Sequence, residues 1–75
     1  MHVLVIDDEL AVRQILAAAV AKAGYSVDQA ATAAEGAAKL ARGDVDVALC
    51  DIKLPDGNGI DLVRNSRASG VETVF

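Results

Sequence analysis

Three aspartates are the residues of this chain best suited to chemistry. Asp7 and Asp8 end one unbroken apolar run, residues 3–6, and Asp51 ends a second, mostly apolar stretch, residues 45–50. Two unit charges 4 Å apart repel by ~1 kcal/mol in water and by ~4 kcal/mol at an effective dielectric of 20. Three acids gathered together therefore either take up protons or hold a cation. A hard, oxygen-seeking ion suits them, since Mg2+ typically binds through one or two carboxylates with waters and phosphate oxygens. Such a site also suits phosphoryl transfer, because the metal neutralises charge on the moving group. A carboxylate beside the metal can itself be the nucleophile and become an aspartyl phosphate. Taken singly, the acids have plainer readings: an Asp-Asp pair ahead of a helix is commonly a solvated cap, and Asp51 and Asp56 are commonly turn residues. Only convergence makes a site, and convergence depends on the elements that carry the acids.

Those elements can be read in order. Residues 3–6 are apolar throughout, as suits a strand buried on both faces. Over residues 9–23, Val12, Ile15, Leu16, Ala19, Val20 and Ala23 recur at helical spacing and predict an inward stripe. Asp7 or Asp8 is expected to cap this helix, with Glu9 in its first turn and Gly24 ending it. Residues 25–31 form a second, more polar strand. Thr32 and Glu35 form a capping box that opens a helix running to about Arg42, with Ala33, Ala37, Leu40 and Ala41 on its apolar face and Gly36 a mild weakness. Gly43 and Asp44 turn the chain into the third strand. Pro55, Asp56, Gly57, Asn58 and Gly59 make a loop from residues suited to fixed or positive φ. A third helix over residues 59–68 buries Ile60, Leu62 and Val63, Gly70 stops it, and residues 71–75 begin a fourth strand. There is no linker, repeat or second domain.

Strands alternating with short helices predict a parallel sheet with right-handed crossovers. The apolar first and third strands belong in the centre and the polar second strand at an edge, giving the order 2-1-3. The chain then reverses direction between strands one and three. Ligands of open α/β sheets bind at the carboxyl ends of strands at such a reversal, which is where Asp7, Asp8 and Asp51 fall.

Bulk properties exclude several classes. With 75 residues, a lone Cys50 and no Cys/His cluster at zinc spacing, the chain has neither disulfide nor zinc staple. Cys50 lies in an apolar strand and reads as a small core residue of a reducing cytosol. The net charge of −4 disfavours nucleic acid and anionic membrane as partners. No apolar run approaches the ~20 residues of a membrane span, and no signal peptide is evident, so a cytoplasmic location is expected. His2 reads as an unpaired surface residue.

Residues 3–9, Val-Leu-Val-Ile-Asp-Asp-Glu, and residues 51–59, Asp-Ile-Lys-Leu-Pro-Asp-Gly-Asn-Gly, closely resemble the receiver domain of two-component response regulators. The resemblance covers the whole chain. It implies a flavodoxin-like α/β fold, three layers around a parallel sheet of order 2-1-3-4. It further implies that Asp51 is the phosphoacceptor, with Asp8 and Asp51 as carboxylate ligands of Mg2+, for which Mn2+ can substitute. Asp7 would act mainly through a metal-bound water, and the backbone carbonyl of Lys53 would complete the protein's share, its side chain pointing to solvent. The implied donor is a phosphohistidine on a sensor histidine kinase or a histidine phosphotransfer protein. Such a domain is a signalling phosphoacceptor rather than an enzyme acting on other substrates.

Family members continue through a fifth strand and two further helices, with a Ser/Thr ending strand four and a Lys ending strand five. No turn or capping signal marks Phe75, so residues 1–75 are expected to be the amino-terminal portion of the domain. An alternative is a self-associating, receiver-like module with a vestigial acidic site; a metal-dependent phosphatase is disfavoured because no general acid is evident. The fourth strand as an open edge, and an uncovered side of strands one and three, predict a symmetric homodimer.

Overall fold

β1 (His2–Ile6) is the spine of the sheet: Val3, Leu4, Val5 and Ile6 are all buried, which requires cover on both faces. The computed structural model describes residues 1–51, 53–58 and 72–74. After β1 come α1 (Leu10–Lys22), β2 (Ser26–Ala30), α2 (Ala33–Ala41), β3 (Val47–Cys50), the two-residue strands β4 (Lys53–Leu54) and β5 (Gly57–Asn58), and β6 (Glu72–Val74). The main sheet has the order β2-β1-β3-β6, and every neighbouring pair is parallel. This is the expected 2-1-3-4, with β6 as fourth sheet strand and the polar β2 at an edge. β4 and β5 form a small antiparallel hairpin of their own. The helix expected over residues 59–68 lies outside the described residues.

The main core lies between α2 and the sheet. Leu4, Ile6, Ala30, Leu40, Val45, Ala48, Cys50 and Leu54 are buried together, with Ala33 and Ala37 packed against them. Cys50 is thus the core residue expected. Ala41, assigned to the same helix face, is exposed, as the last residue of the helix. Thr32 does cap α2, its Oγ1 accepting from the Glu35 N–H at 3.1 Å. Asp28 on β2 ties the edge strand to α2 through Lys39 and Arg42, each at 2.8 Å, and Lys39 Nζ also donates to the Gln29 carbonyl. Gly24 and Gly43, with φ of 96° and 78°, end the two helices as the left-handed residues that glycine makes inexpensive.

α1 departs from the expected stripe. It packs over β1 and β2, yet Ile15 is 69% exposed and Val12, Leu16, Ala19 and Ala23 are exposed too. Of the expected stripe Val20 alone is half-buried, and beside it Arg13 and Ala17 turn inward, a face rotated by roughly one residue step, ~100°. Arg13 sets that rotation. Its Nη1 donates to the Asp7 carbonyl at 2.9 Å and its Nε to Gln29 Oε1 at 3.1 Å, bonds available only if Arg13 faces the sheet. Ala17, small and buried, permits the close approach.

Two local expectations also change. The N-cap of α1 is Glu9, whose side chain makes no capping bond; Asp7 Oδ1 accepts from the Glu9 N–H at 2.9 Å and shapes the turn before the helix. His2 is half-buried and partnered: its N–H donates to Asp46 Oδ2 at 2.7 Å and its Nδ1 pairs with Ser26 Oγ at 2.9 Å. Asp46 N–H returns a bond to the His2 carbonyl at 2.8 Å, fastening β1 to the start of β3.

Candidate metal and phosphoacceptor site

Register brings the acids together. Ile6 stands opposite Ala30 on one side and Cys50 on the other, so the next residues, Asp7 and Asp51, leave adjacent parallel strands at one level. Neighbouring strands run ~4.8 Å apart. Asp7 is pinned by its N–H to the Ala30 carbonyl at 3.0 Å, and Asp51 by its N–H to the Ile6 carbonyl at 2.8 Å. One carboxylate oxygen from each of Asp7, Asp8 and Asp51 lies within 4.8 Å of the others. Asp7 and Asp51 are half-buried and Asp8 is exposed, which leaves the cluster open to solvent on one side.

The donor set fits a hard divalent cation. All three ligands offer carboxylate oxygen, and the spacing approaches the ~4.2 Å between opposite oxygens around a Mg2+ with ~2.1 Å bonds. The ion pairs among the described residues engage Asp28 and involve none of the three acids. Lys53, exposed as expected, donates its backbone N–H to Asp51 Oδ1 at 3.2 Å. That bond orients the Asp51 carboxylate and leaves Oδ2 as its freer oxygen. Beneath the site Cys50 is buried, and burial, then the carboxylates of Asp51 and Asp7, push its thiol up to about 11. It is a packing residue of the core. A groove of about 370 Å³ runs from Asp7 and Asp51 along Leu16, Leu49 and Val74.

Two contacts near this site were not singled out in the sequence. Arg13 holds the Asp7 carbonyl, and its only signal is a cation placed one turn past the acid pair. Asp56, read as a turn residue, caps α2: its Oδ1 accepts from the Ala33 N–H at 2.6 Å and its Oδ2 from the Ala34 N–H at 3.0 Å. Nothing local reveals that bond, since the partners are 23 and 22 residues apart in sequence.

Comparison with known proteins agrees with this fold. Residues 3–74 match the response regulator receiver domain family. The transcriptional regulatory protein DltR of Streptococcus agalactiae is 36% identical over 73 residues, 97% of this chain and 33% of that protein. Among solved structures, a CheY-like receiver domain protein from Methanospirillum hungatei has a TM-score of 0.83 at 38% identity, covering 87% of this chain and 52% of that one. The response regulator TrrA of Thermotoga maritima, in complex with Mg2+ and BeF, has a TM-score of 0.88 at 26% identity, covering 99% of this chain and 66% of that one. The chain thus spans about a third of the length of DltR. With its doubly flanked β2-β1-β3-β6 sheet and its acids at the strand reversal, the chain belongs to the response regulator receiver domain family, a family of signalling domains.

Proposed function

We propose that Asp51 accepts a phosphoryl group from a phosphohistidine on a sensor histidine kinase or histidine phosphotransfer protein. The observation that carries this is the convergence of the Asp7, Asp8 and Asp51 oxygens within 4.8 Å at the carboxyl edge of the sheet. Asp7, Asp8, Asp51 and the Lys53 carbonyl would hold Mg2+, or Mn2+ in its place, and the relative solved with Mg2+ supports that choice of ion. When bound, the ion supplies neutralisation of charge on the transferring group.

The chain's own part is nucleophile and scaffold. Asp51 Oδ1 is held by the Lys53 N–H. A bond forms from Oδ2 to phosphorus while the phosphorus–nitrogen bond of the phosphohistidine breaks, its electron pair going to the imidazole. The result is an acyl phosphate on this chain, so the domain works on itself and is no enzyme in the ordinary sense. Residues 1–75 act as the amino-terminal part of the receiver, in a cytoplasmic setting; no described helix is long and apolar enough to cross a membrane. Neither nucleic acid nor membrane is a partner of this segment, in keeping with its net charge of −4.

Titration with Mn2+, followed by calorimetry, should saturate and should be lost in Asp51→Asn. Incubation with Mg2+ and a small acyl-phosphate donor should add a phosphoryl mass to the wild-type chain, though slowly and in low yield, and none to the variant. Equal metal uptake by both, or equal labelling, would remove Asp51 from this role.

A second reading, self-association as a symmetric homodimer, is favoured by a separate observation. Val12, Ile15 and Leu16 on one side of α1, with Val74 on β6 sharing a groove with Leu16, are large apolar side chains left in solvent. Such a cluster marks an association surface.

A further inference from the structure

We infer that Asp56 is a positioning residue for the acidic site, clasping the hairpin that follows Asp51 to the amino end of α2 and thereby holding Lys53 against the Asp51 carboxylate. This rests on the reading of Asp7, Asp8 and Asp51 as a metal site and adds a part that none of those acids supplies. The Asp56 carboxylate takes two N–H donors of α2 at once, Ala33 at 2.6 Å and Ala34 at 3.0 Å, while Thr32 separately serves the Glu35 N–H at 3.1 Å. Three of the first N–H groups of α2 are thus satisfied, two of them by a residue from another part of the chain. The bonds from Ala33, then Ala34, hold the Asp56 carboxyl below the usual carboxylate range.

The hairpin transmits the clasp. Gly57, directly after Asp56, lies so close to α2 that an added Cβ would stand 3.3 Å from the Ala33 Cβ. Its φ is not among the positive ones, so what glycine provides there is room: a side chain would press on Ala33 by a few tenths of an ångström. Pairing of Lys53 with Asn58 and of Leu54 with Gly57 carries the anchorage back up the hairpin, and Leu54 is buried in the α2 core. At the top, the Lys53 N–H meets Asp51 Oδ1 at 3.2 Å. The Asp51 carboxylate is therefore oriented by a bond whose donor is fixed at two points, the core at Leu54 and α2 at Asp56. Thr32 caps the same helix through a bond to Glu35 of that helix, which separates helix capping from loop placement.

The test compares wild type, Asp56→Ala, Asp56→Asn and Thr32→Ala by Mn2+ titration and by hydrogen exchange at the Lys53 amide without metal. Loss of an outer partner of a metal ligand typically weakens affinity ~10–100-fold. Asp56→Ala is expected near the lower end, about tenfold, with faster exchange at Lys53. Asp56→Asn, which keeps one acceptor oxygen, should fall between Asp56→Ala and wild type, and serves if the alanine variant does not fold. Thr32→Ala should bind Mn2+ within about twofold of wild type, since its cap lies outside the outer partners of the ligands. Equal weakening by Thr32→Ala, or unchanged Lys53 exchange in both Asp56 variants, overturns the clasp. A wild-type chain that takes up no Mn2+ overturns the acidic-site reading, and this inference with it.

Discussion

The two faces of the sheet are built differently. On the α2 face, side chains from β1, β2, β3, β4 and α2 close into one core, and Leu40 is only 3% exposed. On the α1 face, cover reaches β1 and β2, while Leu16, Leu49 and Val74 line an open groove. The difference traces to what sets the rotation of each helix. α2 is placed by an apolar face, with two caps fixing its amino end. α1 faces Arg13 toward Asp7 and Gln29, and its Ile15 and Leu16 stand exposed. One face closes the main core, and the other holds the site's first acid through Arg13.

The largest effect that would break this contrast concerns Leu40. Leu40→Ala removes a core side chain and should cost about 2–5 kcal/mol of stability by denaturant unfolding. A cost below about 1 kcal/mol would mean that the α2 face is not the main core. Next comes Cys50 on the same face. With its thiol held at about 11 and buried, its labelling by a thiol reagent at pH 8 should be at least about tenfold slower in the native than in the unfolded chain. Native labelling at the unfolded rate would place Cys50 outside the core.

A smaller effect belongs to the rim of that face. Lys39 first, with the Gln29 N–H and Arg42, holds Asp28 at about 2, below its ordinary 3.8. The folded value is depressed, so the stabilisation is complete above pH 3.8 and disappears as pH falls through 2. The shift corresponds to at most ~2.4 kcal/mol, and solvent screening of this partly exposed group reduces it to ~1 kcal/mol. Asp28→Asn should therefore lower stability by about that much at pH 7, and the two curves should converge in strong acid. A gap that persists below the folded value would assign the effect to packing. Smallest is Ile15 on the open face. Ile15→Gln should change stability by under ~0.5 kcal/mol, yet shift sedimentation at micromolar concentration toward the monomer mass. A wild-type chain that sediments as a monomer would end the dimer reading.

Much of the architecture was legible in residue order. Unbroken apolarity in residues 3–6 and polarity in residues 26–30 place β1 centrally and β2 at the edge, because a strand's composition reports how many of its faces meet water. The same polarity locates the strand reversal, and so Asp7, Asp8 and Asp51, since a parallel sheet puts all strand ends on one edge. The Thr32 cap was legible as well, its partner being three residues away. Tertiary structure alone decided the rest. Helical spacing gives the period of the α1 stripe but not which residue turns inward, and that went to Arg13, whose partners are the Asp7 carbonyl and the Gln29 side chain. Asp56 and Gly57 look like turn residues in any window of sequence. That one of them caps α2 and the other packs tightly against it follows only when the chain folds and brings Ala33 beside them. Hydrogen-bond donors and close approaches across more than twenty residues leave no periodic trace, because the sequence between them sets no distance.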